Sequence, residues 1–184
     1  MQGSLSGIVE LDETYIGGKE KNKHEHKKTK DNQGRSTKTK TPIVDMRCRD
    51  GLVKAVKMDK VNSDNIQNMI DTNIDKNAIL VTDEASVYKG IEGYKQLMVN
   101  HSAKEFVNGL ANTNGTESVW ALLKRGYYET FHHFSDKHVQ HYVNEFCFRL
   151  NKGSVKRWTM RRIESLIDGF AGNKLPYKVL VGGV

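Results

Sequence analysis

The sequence predicts an α/β fold, a mixed β-sheet flanked by helices. Three strand-like segments joined by turn signals come first, and helix-like and strand-like segments alternate after them, in the order β-β-β-α-β-α-β-α-α. A three-stranded antiparallel meander followed by parallel strands accounts for this order. The chain has 184 residues, the size of one globular domain with a core of its own.

The composition excludes several classes of protein. Hydrophobic residues make up 37% and charged residues 28% of the chain, and there are only 2 prolines, which rules out collagen-like and fully disordered chains. No apolar run approaches the roughly 18–20 residues that cross a bilayer, and no signal peptide opens the chain, so we expect a cytoplasmic protein without a membrane partner. Cys48 and Cys147 are too far apart in sequence for a zinc knuckle, and we expect both to be small buried hydrophobes.

The meander is predicted from residues 7–17, 42–51 and 52–60. The first segment alternates β-branched and aromatic residues with polar ones, which places Glu10 and Asp12 on the same side of a strand. An Asp-Gly turn signal separates the second and third segments, which is typical of a hairpin. The three segments are therefore expected to pair antiparallel.

The later elements follow from helical spacing and short apolar runs. The strongest pattern begins at Ser135, where apolar residues recur at i, i+3, i+4, i+7, i+8 and i+11 from Val139 to Leu150. The predicted elements are a helix over 63–74, a buried strand over 78–85 in which Asp83 ends the apolar run, a short helix over 86–94, a strand over 95–101, a helix from Asn114 to Tyr127, a helix from Ser135 to Gly153 and a last helix over 155–170.

Positive charge is concentrated in parts of the chain. The formal net charge is +7, and residues 19–40 hold nine Lys and Arg against three acids. Clustered basic side chains favour nucleic acid because they release counterions from its phosphates. We therefore predict a basic mobile loop over 19–41 that binds nucleic acid, although a merely solvated loop is the alternative. The candidate nucleic-acid-binding residues are Lys19, Lys21, Lys23, Lys27, Lys28, Lys124 and Arg125.

Three carboxylates form the candidate metal site. Asp12 lies in the first predicted strand and Asp83 at the end of the fourth, so the two aspartates meet if these strands are neighbours in the sheet. Glu117 lies near the start of a helix that could cross the edge of the sheet where they meet. Three converging acids need a cation, and carboxylate oxygens suit Mg²⁺ or Mn²⁺, of which two ions can assist phosphodiester chemistry. Lys124 follows Glu117 by two helical turns and shares its face, where it could hold a substrate phosphate.

Each of these residues also has an ordinary structural interpretation. An Asp at a strand end is often a turn former, and Glu117 with Lys124 can be a pair of solvated helix charges. Glu10 shares a face with Asp12 and is the one serious substitute for it, whereas Glu13 is expected to point the other way. Trp120 could stack on an unpaired base, but a tryptophan on an amphipathic helix is more often part of the core.

The motifs together resemble the DDE-type transposases of the ISXO-like insertion-sequence group. The resemblance implies a ribonuclease-H-like core of the retroviral-integrase superfamily, with the acidic triad at Asp12, Asp83 and Glu117 and a basic residue at Lys124. A His-Thr-Asn tripeptide often precedes the glutamate in this group, and Asn112-Thr113-Asn114 stands there in this chain. The segments that carry the resemblance are VELDETYIGGK at 9–19, LVTDEA at 80–85, NTNGTESVWALLKRGYY at 112–128 and SDKHVQHYVNEFCFRLN at 135–151.

The resemblance also implies an activity and an organisation. The activity is DNA transposition, in which Mg²⁺-dependent strand cleavage frees a 3′-OH that attacks target DNA. A stand-alone nuclease or resolvase of the same fold, or a catalytically silent DNA-binding remnant, is the alternative. We expect a catalytic core over residues 1–151, a basic helix and tail over 152–184, a homodimer or higher oligomer on DNA, and a bacterial, nucleoid-associated location. The N-terminal DNA-recognition part that is usual in this group is expected to be missing.

Overall fold

The structure, a computed structural model, describes residues 4–17, 24–28, 39–49, 51–99, 114–152, 158–172, 174 and 176–180. The chain divides into two compact units, residues 1–147 and 148–184. The strands are β1 (Ile8–Ile16), β2 (Thr41–Cys48), β3 (Val53–Lys57), β4 (Ile79–Thr82) and β5 (Lys95–Met98), and the α-helices are α1 (Ser63–Asn73), α2 (Asn114–Arg125), α3 (Val139–Lys152), α4 (Thr159–Phe170) and α5 (Tyr177–Leu180).

The five strands form one mixed sheet in the order β3-β2-β1-β4-β5. β2 pairs antiparallel with both β1 and β3, while β4 pairs parallel with both β1 and β5. This confirms the predicted fold class, a ribonuclease-H-like sheet made of an antiparallel meander and parallel strands. β1 is the central strand, with β4 beside it.

One face of the sheet is covered by α1 and holds the main apolar core. Val9 and Leu11 of β1 are fully buried there in one cluster with Ile66 and Ile70 of α1. The side chain of Asn62 accepts a 2.9 Å hydrogen bond from the Asn65 N–H and so caps the start of the helix. The apolar spacing of α1 thus places its buried side against alternate residues of the central strands.

Some element boundaries differ from the prediction. The short helix expected over 86–94 is one 3₁₀ turn, Ser86–Tyr88. It ends early because Gly90 has φ +82° and Gly93 has φ +78°, a left-handed backbone that no helix continues. The strand expected over 95–101 is β5, which ends at Met98, and residues 100–101 lie outside the described residues.

The helix expected to end near Tyr127 continues past α2 as a π-helix, Gly126–Phe131, and stops at His132 with φ +58°. Gly126 permits this path, since a Cβ at that position would overlap the ring of Phe146. The segment carries aromatic rings that pack with α3. Phe131 and Phe134 both contact Tyr142, the latter as stacked rings 4.3 Å apart.

Cys48 and Cys147, which both lie in the described part of the chain, form no disulfide. Cys48 is buried in the core beneath α1, as expected for a small hydrophobe. Cys147 on α3 is only partly buried, and burial raises the pKa of its thiol to about 12, which keeps it neutral. Cys147 therefore lacks the depressed pKa of a reactive thiol.

The second unit contains α4 and α5. The helix expected over 155–170 is α4, which begins at Thr159, and residues 153–157 lie outside the described residues. Its apolar residues recur at Met160, Ile163 and Ile167, and the N–H of Ala171 closes the last turn by donating to the Ile167 carbonyl at 3.0 Å. The domain boundary at 151/152 stays a prediction.

Candidate active site

Asp12 and Asp83 lie next to each other on neighbouring parallel strands. Glu10 of β1 is in register with Val81 of β4, and two residues further along each strand come Asp12 and Asp83. Side chains alternate along a strand, so both aspartates share the face of Glu10. β4 ends at Thr82, and Asp83 is therefore the first residue past its carboxyl end. The predicted meeting of these two strands is confirmed.

The loop after Asp83 is held by hydrogen bonds to the sheet. The Asp83 side chain accepts from the Ala85 N–H at 3.0 Å, and the Tyr88 hydroxyl donates to Glu13 at 2.7 Å. Gln96 of β5 donates to the Tyr88 carbonyl at 2.9 Å. Glu13 lies on the apolar face of β1, as predicted. The hydrogen bond from Tyr88 thus connects the loop after Asp83 to Glu13, the residue that follows Asp12.

Both carboxylate oxygens of Asp12 accept hydrogen bonds. Oδ1 accepts from the backbone N–H of Glu13 at 2.8 Å, and Oδ2 accepts from the indole N–H of Trp120 at 2.9 Å. Burial raises the pKa of Asp12 from 3.8 to about 6; the two hydrogen bonds lower it, and the charges of Glu13 and Asp83 raise it. Asp12 is therefore a partly buried carboxylate that lies close to the negative charges of Glu13 and Asp83.

α2 packs on β1 with its apolar face and turns its predicted functional residues outward. Val119, Trp120 and Leu123 are buried, whereas the side chains of Glu117 and Lys124 are exposed. Within the described residues, no three His, Cys, Asp or Glu side chains lie close enough together to hold a metal ion. In this conformation Glu117 does not join the two aspartates, and its role and that of Lys124 stay predictions.

Asp45 is a further carboxylate that the sequence analysis did not identify. It lies on β2 directly opposite Asp12 and is fully buried. In the described part of the chain, neither of its carboxyl oxygens has a hydrogen-bond partner. Burial raises the pKa of Asp45 well above its usual value, and the charges of Asp12 and Glu10 add to the rise. The signal in the sequence was a charge at an inward position of an otherwise apolar strand.

Asp45 and Asp12 are therefore direct partners on adjacent strands, and Asp83 follows the end of β4 on the other side of β1. All their donor atoms are carboxylate oxygens, and Asp45 has spare lone pairs. This donor chemistry fits a hard divalent cation such as Mg²⁺ or Mn²⁺. The structure thus brings Asp12 and Asp83 close together and places Asp45, which was not predicted, opposite Asp12, but within the described ranges these side chains do not form a group of three that could hold a metal ion.

Glu10, the alternative to Asp12, has a different environment. It is buried, and its carboxylate lies 3.6 Å from the guanidinium of Arg49. A Cβ on Gly115 would overlap both the Glu10 carboxylate and the Arg47 guanidinium, so glycine is what lets the first turn of α2 pack here. Arg47 also donates to the Ser118 hydroxyl at 3.1 Å. These contacts give Glu10 a role in docking α2 on the sheet.

The predicted DNA-binding lysines are described only in part. Lys19, Lys21 and Lys23 lie outside the described residues, as does the side chain of Lys27, whose backbone ends the 3₁₀ turn Glu25–Lys27. Lys28 is described and forms a 2.5 Å ion pair with Glu25. Lys124 and Arg125 occupy the exposed last turn of α2, where cations are favourable. Contact with DNA by any of them stays a prediction.

Comparison with known protein families gives one match that covers most of the chain. A family model described as the ISXO2-like transposase domain matches residues 4–151, which include the whole sheet, α1 and α2. No curated protein matches the chain. None of the described helices is long and apolar enough to span a membrane.

Proposed function

The chain belongs to the ISXO2-like transposase family, and on that premise we propose that it cuts DNA strands at transposon ends and joins the freed 3′-OH to target DNA. One observation carries the proposal. Asp12 lies two residues beyond Glu10, the parallel partner of Val81, and Asp83 is the first residue past the carboxyl end of β4, close enough for its charge to act on Asp12. A pair of acids placed in this way can share a cation beside a phosphodiester.

The proposed cation ligands are Asp12 and Asp83, with Glu117 as the third. Two Mg²⁺ or Mn²⁺ ions, when bound, supply positive charge to the attacking and leaving oxygens of the phosphodiester. With a pKa of about 6, Asp12 is mainly ionised at neutral pH and so available as a ligand. Glu117 has to approach from the exposed side of α2 to complete the set.

The remaining roles concern DNA. Lys124 and Arg125 project from the last turn of α2, on the helix that contacts Asp12 through Trp120. Their charges can bind a phosphate near the scissile bond, and the basic run over 19–41 can extend this contact along the strand. Pairing of two DNA ends requires at least a dimer, which is part of the proposal.

One observation favours a second candidate, a DNA-binding remnant without activity. No group of three potential ligands is assembled in the described ranges, and Glu117 is exposed. A remnant of this kind binds DNA in the presence of EDTA and cleaves nothing in Mn²⁺.

The test uses the full chain, supercoiled plasmid and labelled duplexes that carry a free 3′-OH. We expect nicking in Mn²⁺ and transfer of the label to the plasmid. Asp83→Asn should lower both by about 10²–10³-fold or more, the usual loss when a group that stabilises transition-state charge is removed. Glu84→Gln, a change at the exposed neighbour, is the matched control and should retain activity.

Each outcome separates the candidates. Nicking without joining identifies a stand-alone nuclease of the same fold. Unchanged nicking by Asp83→Asn, in a protein with the wild-type circular dichroism spectrum, removes Asp83 from the mechanism. Binding without nicking in any metal identifies the remnant.

A further inference from the structure

One side-chain amide closes the loop that carries Asp83. Nε2 of Gln96 donates to the Thr82 hydroxyl at 2.8 Å and to the Tyr88 carbonyl at 2.9 Å. A glutamine amide nitrogen carries two hydrogens, so each of them has an acceptor here. Thr82 is the last residue of β4, and Tyr88 is the last residue of the 3₁₀ turn that follows. Gln96 therefore joins the two ends of the loop over residues 82–88.

The two aspartates of the candidate site are held in different ways. Asp12 lies within β1, where backbone pairing with β2 continues to Ile16. Asp83 lies one residue past the end of β4, whose pairing with β5 stops at Thr82. The position of Asp12 therefore depends on the sheet, whereas the position of Asp83 depends on the loop.

Hydrogen bonds lead from Gln96 to both sides of Asp83. The Thr82 hydroxyl that accepts from Gln96 donates in turn to the Asp83 carbonyl at 3.0 Å. The Asp83 carboxylate accepts from the Ala85 N–H at 3.0 Å, and the Ala85 carbonyl accepts from the Tyr88 N–H at 3.1 Å. The amide thus fixes the residues before and after the turn that binds the carboxylate.

The acceptors of this amide are buried. Thr82 and Tyr88 are fully buried, and Gln96 is half-buried. A buried polar group lowers stability when its hydrogen bond is lost, so the hydroxyl and the carbonyl need this donor or an equivalent one. Removal of the amide therefore favours a rearrangement of the loop that finds new donors for them.

We propose that Gln96 is a positioning residue that holds the loop over residues 82–88 and thereby keeps Asp83 in place beside Asp12. The proposal rests on the proposed function, because it takes Asp83 to act on DNA. It goes beyond that function by assigning a role to a residue of β5 that acts through the loop. Misplacement of a catalytic group by about 1 Å can lower a rate by about 10²-fold, so a remote amide can control the reaction.

The first experiment measures how firmly the loop is held, by amide hydrogen exchange of the full chain followed by NMR. Gln96→Leu keeps a side chain of similar size and removes both donors. We expect the N–H groups of Ala85 and Tyr88 to exchange about tenfold faster or more, because two hydrogen bonds that close the loop are lost. Exchange of the Ile74 N–H, which bonds to the Ile70 carbonyl in the core helix α1, should stay as in the wild type.

Gln67 provides the matched control. Its Nε2 donates to the Glu92 carbonyl at 3.2 Å, and its Oε1 accepts from the Glu92 N–H at 2.9 Å. Gln67→Leu therefore removes a similar pair of hydrogen bonds from the next loop along the chain. We expect it to leave the exchange of the Ala85 N–H and the nicking of DNA unchanged.

The second experiment measures nicking in Mn²⁺ under single-turnover conditions, with the protein in excess over plasmid. We expect Gln96→Leu to lower the rate constant by about 10–100-fold and to leave the Kd for DNA unchanged. A variant that is only less stable has a smaller active fraction, which lowers the amplitude of the reaction and not its rate constant. The rate constant therefore separates a positioning role from a structural one.

The outcomes distinguish this inference from the proposed function. Unchanged exchange of the Ala85 N–H in Gln96→Leu overturns the inference, whether or not the chain nicks DNA. Faster exchange with an unchanged rate constant of nicking overturns the inference alone. A wild type that nicks nothing overturns the proposed function, and the exchange data then decide whether Gln96 holds the loop. If Gln96→Leu does not fold, Gln96→Glu, which keeps the shape of the amide but cannot donate when ionised, replaces it in both measurements.

Discussion

The two faces of β1 are built from alternate residues of one strand and have opposite chemistry. Val9 and Leu11 lie on one face, fully buried within the apolar core beneath α1. Glu10 and Asp12 lie on the other face, where α2 covers them and Asp45 lies beside them. Burial of apolar side chains on the first face stabilises the folded state. Burial of charged groups on the second face destabilises it and offsets part of that stabilisation. Successive residues of β1 therefore alternate between the apolar core and a face that buries charge.

The largest effect on stability is expected on the apolar face. Leu11→Ala removes a fully buried side chain from the core and should lower the free energy of unfolding by about 2–5 kcal/mol, measured by urea denaturation. Leu52→Ala is the control, since Leu52 is 42% exposed, and should change it by less than about 0.5 kcal/mol. Equal losses in both variants would mean that Leu11 does not belong to the core.

On the charged face we expect a pH dependence of stability. The pKa of Asp12 is raised from 3.8 to about 6, so the folded state holds a proton that the unfolded state releases. Stability should therefore rise as the pH falls from about 7 to about 4, by about 2 kcal/mol from this residue. Thermal denaturation across this range tests it, and Asp12→Asn should reduce the slope.

Other carboxylates also contribute to the pH dependence of stability. Asp45 acts in the same direction as Asp12, because burial raises its pKa as well. The exposed Asp71 and Asp136 act in the opposite direction, since hydrogen bonds from Lys76 and Lys57 lower their pKa values, but solvent screens such surface pairs. A slope that Asp12→Asn leaves unchanged would assign the effect to these other carboxylates.

Asp45→Asn tests whether a buried charge without hydrogen bonds destabilises the fold. Because its carboxyl oxygens have no partner among the described residues, removal of the charge should raise the free energy of unfolding at pH 8 by about 1–3 kcal/mol. Near pH 4 the wild-type carboxyl is protonated as well, and the difference should vanish. A loss of stability at pH 8 would show that the charge has a stabilising partner in the folded protein.

The smallest expected effect on stability comes from the hydrogen bond between Tyr88 and Glu13, a carboxylate on the apolar face of β1. Tyr88→Phe removes the 2.7 Å hydrogen bond to Glu13 and should lower the free energy of unfolding by about 1–2 kcal/mol. Tyr94→Phe, which removes a 3.1 Å bond to the exposed Asp71, is the matched control and should cost less. Urea denaturation of both variants compares them. If Tyr88→Phe is neutral, this bond does not stabilise the loop after Asp83.

The candidate site was predictable where it depends on local pattern. Alternation along β1 correctly placed Glu10 and Asp12 on one face and Glu13 on the other, and helical spacing correctly placed Glu117 and Lys124 away from the buried side of α2. The meeting of Asp12 with Asp83 needed one further assumption, that β1 and β4 are neighbours, which the sheet confirms.

The site was not predictable where it depends on register and on helix docking. Asp45 faces Asp12 only because β2 pairs with β1 at that register, and a shift by one residue would turn Asp45 to the opposite face. Trp120 was expected to belong to the core, and it does, but its hydrogen bond to Asp12 depends on how α2 lies across β1. No local pattern encodes either contact.

The sequence by itself determined the succession of strands and helices, the side of each element that is buried and the acids available for chemistry, because these depend on neighbours one to four residues apart. Only the tertiary structure decided which acids share a surface, which oxygen Trp120 occupies and that Glu117 stays outside, because these depend on pairing and packing between segments distant in the chain. Each of these contacts stabilises the protein only when both segments are in place. The sequence of either segment alone therefore does not predict the contact.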